Sequence, residues 1–589
     1  MHGRSRNAGW VVALVAAIVT TMALVDTAGA VQPPPGAAKP VAGTGIGTAA
    51  ALENPKCAHD DDARYGVYGR LPSTIVGNGP VCVKPWKAGA DNGGATAPGV
   101  TKESILVYAI VPNDQQLSMV GGATPTKRSD NSRGTYQDAI HDYLLAAMKF
   151  FETYGRDIEV RYFVSTGQDE AAQRADAVEV KAAKPFAVMD LAPTGLDVFD
   201  TEMAKEKIVV FGFSTTTQKA LAQAPYRWGQ SDTQAAATNA TEVLGKQLVG
   251  KKAQFAGDDV KGQTRKFGTV YIDDIIDLDQ MKADFKKYGG TIASDASYTA
   301  TGSTIGDATS AQEQAPVIAT RLKQAGVTTV ILFTDVAMTK SLMENATKQE
   351  WYPEWFLTGT VFQDLAILAR SYPTDQSAHA FGISNVSPWV YPDPKLTVLS
   401  DGVAQRLDWY WGAGVGTTAS SPPQQINWLL AGIHSAGPNL TPKTFQQGLF
   451  SVPAFGGAAQ NYPTGTMTGY GRNAGLPYDE YMAVGIDFGI VWWDPETSGP
   501  SQGTGTEGKG VGWYADGAKR FKSRAVPKKQ FGWFDKTTSV YKFDTRPTPV
   551  PEYAGDCAGC PSQGGAGQAG TPSATGFVAK ATGASGTGP

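Results

Sequence analysis

VIATRLKQAGVTTVILFT, running from Val317 to Thr334, holds a helix, its stop and a strand in one line. Val317, Ile318, Leu322 and Ala325 recur at helical spacing, Gly326 supplies the stop, and Val330–Phe333 is a short β-branched and aromatic run. The same unit repeats on either side. Upstream, Phe267–Ile272 reads as a strand, and Leu278, Met281, Phe285 and Tyr288 mark a helix stopped at Gly289-Gly290. Downstream, Met338–Gln349 is helical, and Trp355–Leu357 and Ala380–Ser384 are short strands.

An earlier set precedes this one. Ile105–Val111 is its first strand, and Ile140, Leu144, Ala147, Met148 and Phe151 share one face of a helix over Thr135 to Tyr154, closed by Gly155. Strands follow at Ile158–Val164, Phe186–Met189 and Ile208–Phe213, separated by helices at Glu170–Ala183 and Asp197–Glu206. The basic and polar segment Gly250–Lys266 divides the two sets. Alternation at this spacing implies an α/β chain with right-handed crossovers and parallel sheets. After Asn385 the pattern changes: Val403–Trp411, Gln425–Ala436 and Thr444–Phe450 read as helices, and Tyr481–Trp493 as an apolar strand.

The ends have a different composition. Arg4 and Arg6, the apolar run Trp10 to Val25 and Ala28-Gly29-Ala30 fit a secretory signal cleaved after Ala30. The run is short for a membrane span, and with no Cys near the cleavage point no covalent lipid anchor is expected. The mature protein is expected outside the cytoplasm, in the periplasm, at the cell surface or secreted. Residues 31–98 read as a linker and a small extension. Cys57 and Cys82 flank its polar loop, and Cys557 and Cys560 form a C-A-G-C near the other end. Two local disulfides, Cys57–Cys82 and Cys557–Cys560, are the first choice among three pairings; a redox pair or half a metal site competes for the C-A-G-C. The Pro-, Gly-, Ala- and Ser-rich stretch over 546–589 is expected to be disordered.

Over 589 residues the net charge is -4, which gives no electrostatic footprint for nucleic acid. Enzyme signatures are missing. There are five histidines, and no H-E-x-x-H or G-x-S-x-G occurs. His59 beside Asp60, Asp61 and Asp62 reads as a solvated acidic loop rather than a metal site. Gly503 to Gly508 matches G-x-G-x-x-G literally, but prolines precede it and glycines follow, so it reads as a loop.

Several stretches together resemble the type I periplasmic-binding-protein family, the solute receptors of ABC importers, and its branched-chain amino acid group above all. Gly99-Val100-Thr101 before Ile105–Val111 is similar to the family's opening strand, and Phe211–Thr217 to its hydroxyl-rich fourth-strand loop. Pro225 to Trp228 with Ser231-Asp232 resembles its crossing into the second lobe; Val317 to Thr334 and Gln425 to Leu449 resemble its later units. The likeness runs from Gly99 to Phe543. It implies two doubly wound, Rossmann-like lobes joined by a hinge, a ligand in the central cleft, no cofactor, no reaction, and ABC permease subunits as partners. The lobes are then expected over 99–230 and 231–385. A helical return to the first lobe follows over 386–475, and a closing segment over 476–545.

Ligands collect at the carboxyl ends of parallel strands. That rule selects Pro112–Gln115, Ala192–Gly195 and Ser214–Thr217 in the first set, and Asp273–Asp274, Thr334–Asp335 and Thr358–Thr360 in the second. The candidate ligand residues are Asn113, Thr194, Gly195, Ser214, Thr215, Thr216, Trp228, Asp274, Asp335 and Thr360. Hydroxyls and helix N-terminal N–H groups suit a carboxylate, and helix capping is the competing use of the same residues. By the resemblance Asp335 meets an ammonium group; a helix N-cap is the alternative. Asp273-Asp274 stands where many relatives have an aromatic and Gly, which departs from amino acid specificity. Trp389 and Tyr391 are candidates for the hinge or cleft mouth. The function expected is binding of a small polar or amino-acid-like solute for import. A sensing or cell-surface protein of the same fold, or a secreted hydrolase, are the alternatives.

Overall fold

The computed structural model describes residues 86–87, 89–113, 152–192, 195–212, 215–229, 232–300, 308–386, 388–390, 424–451, 455–456, 467–482, 486–502, 506–544 and 579–583. The signal segment, all four cysteines, the bulk of the helix expected over Thr135 to Tyr154, the one over Val403 to Trp411, and Thr194, Ser214 and Tyr391 lie outside these residues.

The first sheet is built from β1 (Ser104–Val111), β2 (Asp157–Val164), β3 (Ala187–Asp190), β4 (Val209–Phe211) and β5 (Arg227–Trp228), in the order β2-β1-β3-β4-β5 and parallel throughout. The second contains β6 (Phe267–Ile272), β7 (Ile292–Tyr298), β8 (Thr329–Phe333), β9 (Glu354–Leu357) and β10 (Ala380–Ser384), in the order β7-β6-β8-β9-β10, again parallel. Both sheets therefore repeat one order: second strand, first, third, fourth, fifth. The short strands β11 (Trp389–Val390) and β12 with its partner β13 (Phe455–Gly456 and Met467–Thr468) lie between β10 and the next strand of the second sheet in sequence. β14 (Asp487–Pro500) then adds antiparallel to β10, followed by β15 (Glu507–Tyr514) and β16 (Arg520–Lys522) on β14. β17 (Lys542–Phe543) pairs with β11.

Period-two alternation explains how helices cover both faces of the second sheet. Val330, Leu332 and Leu357 pack under the helices Ala308–Gln324 and Val336–Lys348, whereas Ile331, Phe333 and Phe356 pack under Thr233–Gln247 and Leu278–Lys287. In the first sheet Ile110, Val188 and Val210 meet the helices Glu170–Ala182 and Asp197–Lys205. On its other face Phe211 meets Trp428 and Phe445, from Gln424–Ala436 and Pro442–Ser451, with ring centroids at 6.2 and 5.8 Å. The late helices thus return to the first sheet, and each sheet is doubly wound. Among the described residues, no helix is long and apolar enough to cross a membrane.

Four of the elements that go beyond the sequence reading show why it stopped short. β7, IASDASY, alternates small and polar residues and carries little β propensity. The helix Thr233–Gln247 is buried around most of its circumference, so it shows no single apolar stripe. β15, EGKGVGWY, is rich in glycine and gains its strand form by pairing with β14. Finally, the tail expected to be unstructured carries β18 (Ala579–Gly583), which lies parallel to β2. The unpaired N–H and C=O groups along β2 form an edge that recruits such a segment. The G-x-G-x-x-G run ends inside β15, whose first residues are Glu507 and Gly508, so its end is taken up by a strand and not by the helix a dinucleotide site requires.

Candidate functional site

In each sheet the first strand has its second and third strands on opposite sides, so the chain reverses direction there. Crevices that hold ligands form outside the carboxyl ends at such a switch point. In the first lobe it lies between β1 and β3; in the second, between β6 and β8.

At the first switch point, Asn113 follows β1 and donates from Nδ2 to the Ser165 carbonyl at 2.9 Å, joining the ends of β1 and β2. Asp190 ends β3 and is fully buried. Its two oxygens accept the Ala192 and Leu196 N–H groups at 2.9 and 2.8 Å, so the loop carrying Gly195 folds over one carboxyl. Gly195 has φ of +71°, a left-handed conformation that glycine adopts without strain. Burial pushes Asp190 up to about 7, opposed by those two N–H groups. Asp200 lies alongside, held well above the usual carboxylate range by burial and by Asp190. Its carboxyl packs against Gly212 at the end of β4, where any Cβ would strike it. Arg227 on β5 is the cation of this cluster: it reaches Asp197 at 2.7 Å and Asp200 at 3.5 Å.

Thr215 and Thr216 follow β4 and are half-buried. Thr216 is the N-cap of the helix Thr217–Ala222, accepting the Lys219 N–H at 3.2 Å. The Thr215 methyl lies against Gly229 in the crossing segment. Trp228 is 1% exposed, packs against Phe211, Phe445, Tyr470 and Tyr481, and donates its indole N–H to the Pro225 carbonyl at 3.0 Å. It is a core residue under the crossing.

In the second lobe Asp273 and Asp274 follow β6 and are exposed; Asp274 has φ of +59°. Asp273 accepts the Thr299 hydroxyl at 2.7 Å. Asp335 is buried and serves as the N-cap of Val336–Lys348: Oδ1 accepts the Met338 N–H at 2.8 Å and Oδ2 the Tyr298 hydroxyl at 2.7 Å. Burial and the Asp335 carboxylate hold Tyr298 far above the usual phenol range. Thr360 is buried after β9, its hydroxyl 2.7 Å from that of Thr358.

The sequence reading missed the residues beside Thr360. Val361 and Phe362 both have positive φ, +47° and +60°, and one residue separates them from Gly359 at +74°. A β-branched residue there is a true backbone outlier, and such strain collects at binding sites. The strained turn presents Phe362, which is 46% exposed, at the carboxyl end of β9. Behind it Gln363 is buried, donating to the Leu332 carbonyl at 3.0 Å, and Asp364 is buried and raised by burial. Nothing in TGTVFQD announces this; the signal is in the dihedrals. The histidines described here are structural: His434 is buried and accepts the Glu152 N–H at 2.7 Å, and His379 Nδ1 is 2.6 Å from the Phe255 carbonyl.

Three segments connect the lobes. The first is 229–232, the second the return between β10 and Gln424–Ala436, and the third 469–486, which leads into β14. Gly229 and Met482 form a parallel bridge, so the first and third lie side by side.

No protein-family model matches the chain, and no curated protein matches it. Among solved structures it is similar to an ABC-transporter solute-binding protein from R. palustris in complex with 4-hydroxybenzoate, at 13% identity, 72% of this chain, 98% of that one and a TM-score of 0.42. It is similar to a fatty acid ABC transporter substrate-binding protein from Thermomonospora curvata, at 13% identity over 73% of this chain and 95% of that one, TM-score 0.41. A substrate-binding protein of an ABC transporter from Aeropyrum pernix stands at 12% identity, 72% and 96% coverage and a TM-score of 0.42.

Proposed function

We propose that this chain is an extracytoplasmic solute-binding protein of an ABC-type importer. It binds a small polar or amino-acid-like solute between two lobes and delivers it, chemically intact, to a membrane permease. The observation that carries the reading is the duplicated switch point: two doubly wound sheets whose five parallel strands repeat one order, joined by adjacent crossing segments. A solute touching both lobes is bound fully only when they close, so it shifts the hinge towards closure. A preference of roughly 10⁴-fold for the closed state converts a mostly open population into a mostly closed one.

The first lobe would supply Asn113, Gly195, Thr215 and Thr216 with the neighbouring Thr194 and Ser214. The second would supply Asp274, Thr360 and Phe362. Asp335 and Trp228 would hold the framework behind them. An exposed aromatic beside hydroxyls suits a ring-bearing or amphipathic solute with a polar head.

The test is a thermal-shift screen of the mature chain against a solute library. A specific solute at a hundred times its Kd stabilises by about 2.7 kcal/mol. Calorimetry with that solute should then show weaker binding for the Thr194→Ala, Ser214→Ala double variant, with its melting temperature retained. Unchanged affinity would place the solute elsewhere; turnover of the solute would make the chain an enzyme.

A further inference from the structure

The two adjacent crossings meet through carboxyl groups. Asp232 lies at the end of the first and Glu480 within the third. Asp232 is a hub: Oδ1 caps the helix Thr233–Gln247 through the Ala235 N–H at 2.9 Å and accepts the Thr217 hydroxyl of the first lobe at 2.5 Å. Its Oδ2 accepts the Tyr478 hydroxyl at 2.6 Å. Glu480 is 1% exposed, and its Oε1 accepts the Met482 N–H at 2.7 Å. Among the described residues, Glu480 Oε2 meets no hydrogen-bond donor. Tyr478, which donates to Asp232, stands two residues before Glu480, and the Asp232 carboxyl is the charged group that acts most strongly on Glu480.

Two carboxylates are both acceptors. Close together and away from water, two such groups resist being ionised at once, and a proton kept by one can be donated to the other. Ala235 and Tyr478, both hydrogen-bonded to Asp232, belong to a small apolar cluster with Ala474, Leu476 and Ile486. The titratable groups acting on Glu480 are thus Asp232 and, beside it, the Tyr478 phenol. Asp479, next in the chain, faces outward to Arg472 at 2.8 Å, and the Tyr481 hydroxyl is taken by Gln446.

We propose that Asp232 and Glu480 form a proton-binding site in the hinge, one shared proton pinning the first crossing to the third. The proton sits on Glu480 Oε2 and is donated to Asp232. When it leaves to solvent, two carboxylates face each other across the bridge at Gly229 and Met482, and the crossings separate. The proton is then a second ligand of the hinge, and lobe closure depends on pH. Burial, with Asp232 next to it, holds the Glu480 carboxyl well above the usual range, which moves this release towards neutral pH. The proposal rests on the two-lobe reading but on no particular solute.

The experiment needs no solute. Fluorophores placed at Val178 and Val317, exposed positions on the two lobes, report the interlobe distance by single-molecule energy transfer. The full mature chain is titrated from about pH 4 to about pH 9. The wild type should show a transition in transfer efficiency with its midpoint above the ordinary glutamate range. Glu480→Gln keeps a donor to Asp232 and cannot ionise; its transfer efficiency should stay flat across the range. Asp232→Asn removes the facing charge and should lower the midpoint by about one unit or more. Near-ultraviolet circular dichroism verifies the fold of each variant. A flat wild-type titration, or a Glu480→Gln transition at the wild-type midpoint, would overturn the proposal, while solute binding could still stand.

Discussion

Single side chains separate framework from site. Trp228 and Phe362 are both aromatic and both lie near the crossings or strand ends, but one is 1% exposed and the other 46%. Trp228→Ala empties a core position and should cost about 3–5 kcal/mol, read by denaturant unfolding. Phe362→Ala should leave the melting temperature in place and weaken solute binding about tenfold, read by calorimetry; one decade is about 1.4 kcal/mol. Asp190 gives a pH prediction. Its carboxyl is raised to about 7, so the folded state holds a proton that the unfolded chain releases near pH 4. Between those values the native state binds more protons, and stability falls as pH rises. Asp190→Asn should flatten that slope in unfolding curves measured across the window; an unchanged slope would assign it to another group. Of the site, the strand-end positions were legible from chain order alone. Asp335, which the residues left open between ligand and cap, serves as the N-cap of Val336–Lys348.

Among elements, the strands read most easily from sequence were those buried on both faces. β8, β9 and β10 are buried at every position, and such strands appear as unbroken apolar runs. β7 and β15 were illegible because neighbours, not composition, make them strands: β7 hangs on the outer side of β6, and β15 on β14. The same dependence on context applies to the polar link between the sets. Arg265, at its end, makes a two-pronged ion pair with Glu354, both contacts 2.8 Å and both side chains buried, and Glu354 also accepts the Thr329 hydroxyl at 2.6 Å. This ties the amino ends of β8 and β9 to the segment before β6. Removing one partner leaves a buried charge, so Arg265→Ala should destabilise by about 3–5 kcal/mol in chemical denaturation. A loss under about 1 kcal/mol would mean that water reaches Glu354.

For the whole molecule, the duplicated strand order is the strongest statement that the fold makes. Each half opens its carboxyl edge at a reversal of winding, and the chain passes between the halves three times, so each half is completed by segments that come back from the other. Local patterns in the sequence show two sets of strand–helix units but not their completion, which only the family resemblance implied. The return of Gln424–Ala436 to the first sheet, and of β14 to the second, depends on long-range packing that no local pattern records. The central claim is that a solute draws the two halves together and leaves unchanged. Fluorophores at Val178 and Val317, with the solute found by thermal shift added at saturating concentration and constant pH, test it most directly. The account predicts one narrowed, solute-dependent distance distribution that reverts when the solute is dialysed away intact; a distribution indifferent to a solute that demonstrably binds would contradict it.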